Sequence, residues 1–92
     1  MGHPPIFQAG EQVVVTANTR AVLYQGRTLT ARSKPKPGDH PRYGRWIGHL
    51  PLPAGITGTV LPLYGDVMAN LTAIRLADGR IASITSWALE RA

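Results

Sequence analysis

Apolar residues along this chain recur at a spacing of two, in short runs that glycine and proline interrupt. Gln12 to Ala17 (QVVVTA) is a β-branched run following Gly10-Glu11, so it reads as a strand with Val13 and Val15 on one face. Ala21 to Gln25 is a shorter strand ended by Gly26, and Leu29 to Arg32 continues in extended form. Trp46 to Leu50 (WIGHL) resumes the apolar character, and Pro51 to Gly55 predicts a rigid turn. Ile56 to Leu61 is the next strand, where an internal Gly58 predicts a bend or bulge. Leu71 to Ala77 places Ile74 and Leu76 on one face around an outward Arg75. Asp78-Gly79 then predicts a two-residue type I′ hairpin into a returning strand, Arg80 to Thr85. Within that strand Ile81 and Ile84 differ in parity, which requires either two covered faces or a bulge. Ser86 is placed to cap a short helical turn, Trp87 to Glu90, with Trp87 and Leu89 closing the end of a barrel.

The pattern therefore predicts an all-β fold, a small barrel of about five strands with a short C-terminal helical turn. Length fits this reading, because 92 residues bury one hydrophobic core and not two. Residues 10–92 form the single expected domain, after a flexible N-terminus at 1–9. Composition agrees: 43% apolar and 16% charged is a folding chain, and 10 Gly with 8 Pro leave no stretch for a major helix. There is no cysteine, hence no disulfide or thiolate metal site. The beginning, Met1 to Phe7, has no secretory pattern, and no apolar run reaches the roughly 20 residues of a membrane span. The expected location is the cytoplasm, with no membrane partner.

Charge changes the picture at one place. The net charge is +5, and positions 32–45 hold five of the ten Lys and Arg residues against one of the five acids, Asp39. This segment, with Arg32, Lys34, Lys36, Arg42 and Arg45, also contains three prolines and two glycines, so it predicts a long exposed basic loop. Clustered cations attract polyanions, since neutralising phosphates or carboxylates releases counterions. Tyr43 and Trp46 lie among and just after these charges, as platforms for bases or peptide side chains, or as barrel-lid aromatics.

Several motifs resemble bacterial SH3 domains of the SH3b type. Leu29 to Pro35 (LTARSKP) is similar to that family's leucine-x-valine-arginine-serine-glycine-proline opening, and Ile47-Gly48-His49-Leu50 with Ala54 to Leu61 is similar to its isoleucine-glycine-x-leucine and valine-rich strand. Ile74 to Arg80 matches its valine-arginine-leucine-x-aspartate-glycine-arginine hairpin, and Trp87-Ala88-Leu89 stands at its closing helical turn. The likeness spans about positions 13 to 89 and implies an SH3-like barrel. Two departures stand out: Met68-Ala69-Asn70 replaces the family's glycine-tryptophan, and the stretch after Pro35 is enlarged and basic. Family members often bind cell-wall peptide after export, a role the cationic loop and the missing leader point away from. Ala88-Leu89-Glu90-Arg91 also resembles the end of the small plasmid-borne dihydrofolate reductases, but Ala82 to Thr85 lacks the glutamine and tyrosine of their pore strand.

Catalytic constellations are not legible. Glu11, Asp39, Asp66, Asp78 and Glu90 form no paired spacing. His3, His40 and His49 match no metal-ligand pattern, and neighbours such as Asp39-His40 point to opposite sides of an extended chain. No cofactor and no enzymatic activity are expected. Two readings stand: a protein-interaction domain or small subunit whose basic loop recognises an acidic partner, with Tyr24, Tyr64 and Trp87 holding a peptide, and a nucleic-acid-associated domain whose loop contacts phosphates. Exposed edge strands would also permit a homo-oligomer.

Overall fold

The computed structural model describes residue 2 and residues 4–30, 32, 34–40, 42–62 and 70–92. The expectations for His3, Ala31, Ser33, Tyr64, Asp66, Met68 and Ala69 fall outside these residues.

The β-branched runs form strands β1 (Gln12–Val15), β2 (Thr19–Tyr24), β3 (Trp46–Leu52), β4 (Thr57–Val60), β5 (Leu71–Leu76), β6 (Ile81–Thr85) and β7 (Leu89–Arg91). A 3-10 turn at Ser86–Ala88 separates β6 from β7. All seven described strands join one antiparallel sheet in the order β3-β2-β6-β5-β4-β1-β7. The expectation of about five strands is thus corrected to seven, and the helical turn to a single 3-10 turn.

That sheet is curled. Laid flat, seven strands at about 4.8 Å spacing would put the outer two roughly 29 Å apart. Leu52 of β3 and Leu89 of β7 nevertheless share one buried cluster with Val13, Val15, Ala21, Val60, Ile74, Leu76, Ala82 and Ile84. Every strand thus contributes to one interior, and the architecture is barrel-like. Backbone bonds tie the rim: Val15 N–H donates to Ile56 O, Gly55 N–H to Val15 O, and Thr16 N–H to Ala88 O.

Several local expectations change. Within the first nine residues, Phe7 is buried in the main cluster. Arg91 lies over the Phe7 ring, donates to Ile6 O at 2.9 Å and pairs with Glu11 at 2.6 Å. Pro51 and Leu52 extend β3 and are not part of a turn. Proline is tolerated there because, among the described strands, β3 is paired on one side only, so a missing N–H costs no ladder bond. Residues 29–30 and 32 form no strand. Gly58 is not a bulge either: its register with β1 and β5 is regular, and a Cβ there would press on Arg75 O and Ile74 Cδ1 at 3.1 Å. The register shift lies between β2 and β3, where Leu23 pairs Gly48 and Tyr24 pairs Trp46, leaving Ile47 as the extra residue.

The Asp78-Gly79 turn has three residues and not two. Gly79 N–H donates to Leu76 O and Leu76 N–H to Arg80 O, and among these residues only Gly79 has a positive φ, +89°. Ser86 is no cap: its hydroxyl is buried 2.6 Å from the Thr72 hydroxyl, so each satisfies the other. Trp87 does not plug the barrel, being 57% exposed, whereas Leu89 is in the core. The parity of Ile81 and Ile84 resolves as two covered faces. Ile84 joins the interior, while Ile81 and Ala73 join a second cluster on the outer face with Tyr43.

Candidate functional site

The outer cluster is capped by the basic segment itself. Residues 25–45 connect β2 to β3, and their two ends extend the ladder: Gln25 N–H donates to Arg45 O at 2.9 Å and Gly26 N–H to Tyr43 O at 2.8 Å. Beyond this root, two consecutive side chains shape the loop by accepting backbone hydrogen bonds, which is how short polar residues organise irregular chain.

Asp39 is the first. Its Oδ2 accepts the Lys36 N–H at 2.9 Å, its Oδ1 accepts the Trp46 N–H at 3.1 Å, and Arg45 Nη1 lies 3.6 Å away. The side chain is 5% exposed. The two backbone donors, with Arg45 assisting, hold its carboxyl below the usual carboxylate range. His40 is the second. Its Nδ1 accepts from the N–H groups of Arg42, at 3.0 Å, and Tyr43, at 3.2 Å, so the neutral ring carries its hydrogen on Nε2. His40 and Gly44 also exchange backbone bonds of 2.8 Å. The imidazole stacks on Tyr43 with ring centres 4.7 Å apart and meets the edge of Tyr24 at 5.7 Å. Burial pushes its pKa down, and Arg42 acts in the same direction.

This clasp sets the place of each predicted residue. Tyr43 is 6% exposed, lies against Ala73 and Ile81, and donates its hydroxyl to Pro62 O. A ring so covered offers no stacking face to a ligand; it is a core residue of the outer cluster. Gly44 has φ +89°, and a Cβ there would collide with the Arg27 carbonyl oxygen, so only glycine fits the crossing. Lys36, Arg45 and Trp46 converge on Asp39, and Arg42 and Tyr43 on His40. Arg32 and Lys34 lie upstream on exposed chain. Trp46 is 45% exposed, with its indole N–H donating to Gly48 O at 2.8 Å and its ring edge-on to His49 at 5.3 Å. Gly38 packs beneath it, where a Cβ would touch Trp46 Cε3 at 3.4 Å.

The electrostatic consequence is asymmetric. Asp39, the loop's one acid, faces inward and is engaged by backbone, while the side chains of Arg32, Lys34, Lys36 and Arg42 are exposed. The described outer surface of the loop is cationic. Sequence reasoning did not find the structural work of Asp39, His40 and Gly44. Their signal was a run of short acceptors and glycines, Gly38-Asp39-His40 with Gly44, inside a segment too basic and proline-rich to be regular.

Among the described residues no three His, Asp or Glu side chains gather as a cation site, and no helix is long and apolar enough to cross a membrane. Comparisons with protein-family models, curated proteins and solved structures find no match to this chain.

Proposed function

We propose that this chain is a non-catalytic binding domain, a cytoplasmic interaction module or small subunit of a larger assembly, which docks an acidic protein surface through its basic loop. The observation that supports this most directly is the inward Asp39: the loop carries its own counter-charge beneath it, so Lys34, Lys36 and Arg42 face solvent without a loop carboxylate among them. The finer fold assignment, an SH3-like barrel akin to the SH3b type, belongs to the same proposal. It draws support from the β5–β6 hairpin over Ile74 to Arg80 and from the 3-10 turn that leads into a strand returning to β1.

The test compares two polyanions. A fluorescent acidic peptide and a mixed DNA and RNA pool are titrated at about 50 mM salt with the native protein and with the Lys34→Ser, Lys36→Ser, Arg42→Ser triple variant. The acidic peptide is expected to bind more tightly than the nucleic acid, and the variant to lose that binding while keeping its unfolding midpoint. Tighter binding of the nucleic-acid pool, with a salt slope matching the phosphates neutralised, overturns the protein-partner reading in favour of the phosphate one.

A further inference from the structure

The open side of β3 lies directly beside the cationic loop. β3 is the end strand of the sheet and has β2 alone as its partner among the described strands. At seven residues it is the longest strand, whereas the opposite end, β7, has three. A long unpaired edge is a template for another strand unless it is blunted. Here blunting occupies both ends, Pro51 at one and the Ile47 bulge with Asp39 on the Trp46 N–H at the other, and the stretch around His49 lies between them. At its start the strand presents two adjacent large apolar side chains, Trp46 at 45% and Ile47 at 58% exposed. The Ile47 bulge and the Asp39 anchor fix the start of this edge, since Trp46 N–H is held by Asp39 and its indole by Gly48 O.

Charge selects the occupant. Neither β2 (TRAVLY) nor β3 (WIGHLPL) contains an acid. Cations stand at both ends of β3: Arg45, beside the inward Asp39 at its start, and Arg20, opposite Pro51 at its end. A second copy of this edge would bring like charges together, while an extended acidic segment meets opposite charge at its two ends.

We infer that β3 receives an extended acidic peptide as an added strand, with backbone pairing centred on His49 and apolar side chains of the peptide against Trp46 and Ile47. This rests on the acidic-partner reading above and names how that partner is held. The His49 amide is its reporter. Pro51 lacks an N–H and stands in the strand opposite Arg20, so its nitrogen faces the open edge, and the period-two alternation puts the His49 N–H on that same side.

The probe is a synthetic peptide alternating glutamate with valine, compared with the same peptide N-methylated at alternate backbone amides. Charge and composition are equal in the two, and only strand pairing differs. The unmodified peptide is expected to bind about tenfold more tightly, the effect of one or two lost backbone bonds, and to slow hydrogen exchange at His49. Equal binding of both peptides, with loss in the Lys34, Lys36, Arg42 variant, overturns strand addition and leaves the acidic-partner reading standing. No binding of either peptide overturns both.

Discussion

The two faces of the β5–β6 hairpin are both buried, yet the covering material has opposite origins. On the inner face, Ile74, Leu76, Ala82 and Ile84 meet side chains from every other strand, and alternation along the chain is enough to put them there. On the outer face, Ala73 and Ile81 are covered by Tyr43, delivered from a connection between two other strands and held by acceptors on Asp39 and His40. The inner face is stabilised by apolar area, at roughly 1.5–3 kcal/mol for each fully buried Val, Leu or Ile. The outer face depends on a few directed bonds whose failure releases a whole segment. A patch of sheet can therefore be covered without being part of the main core.

Truncating the inner face is the strongest way to break this contrast. Ile74→Ala is expected to cost about 3 kcal/mol, because a fully buried side chain is lost from a close-packed interior. Its denaturant midpoint checks this, and a cost under about 1 kcal/mol would mean that the inner cluster is not the principal core. The outer clasp should fail more gently and more locally. Gly44→Ala strains a positive φ and drives a methyl into the Arg27 carbonyl, an effect of about 2 kcal/mol. Faster amide exchange at Tyr43, with the β1–β4 amides unchanged, is the expected signature; uniform acceleration across the barrel would show that the two faces do not separate.

The smallest effect comes from pH. His40 has its pKa lowered from 6.5, so between those two values the unfolded chain binds more protons than the folded one. The stabilisation is complete above pH 6.5 and is lost as pH falls through the folded value. Protonating Nδ1 would also remove the acceptor for Arg42 and Tyr43 N–H. His40→Asn keeps an acceptor and removes the titration, so its unfolding midpoint should change less between pH 6.5 and 5 than that of the native protein. An identical slope in both would place the pH response elsewhere.

Much of the inner face was legible in the residues. Val13, Val15, Ile74, Leu76 and Ile84 are all buried, and the hairpin at Asp78-Gly79 is present, because strand alternation and turn chemistry are local and need no knowledge of the partner strand. The last strand and the length of β3 were not, since β7 follows its turn immediately and β3 continues through Pro51, both permitted by edge positions that only the sheet order reveals. The candidate site was legible as charge and opaque as geometry. Arg32, Lys34, Lys36 and Arg42 are exposed as a basic loop predicts, while Tyr43 turned out to be core. An aromatic residue in a polar loop reads the same in sequence whether it faces solvent or folds back.

The feature that separates these outcomes is the range of the interaction. Alternation, glycine turns and the count of cations by themselves determined that this chain is all-β, with its charge excess in residues 32–45. The tertiary structure alone decided that Asp39 points inward, that Tyr43 packs on Ile81 and that β3 ends the sheet with Trp46 and Ile47 uncovered. Each of those facts depends on contacts between segments distant in sequence, whose energies are comparable with the solvent contacts they replace, so no local pattern records which one prevails.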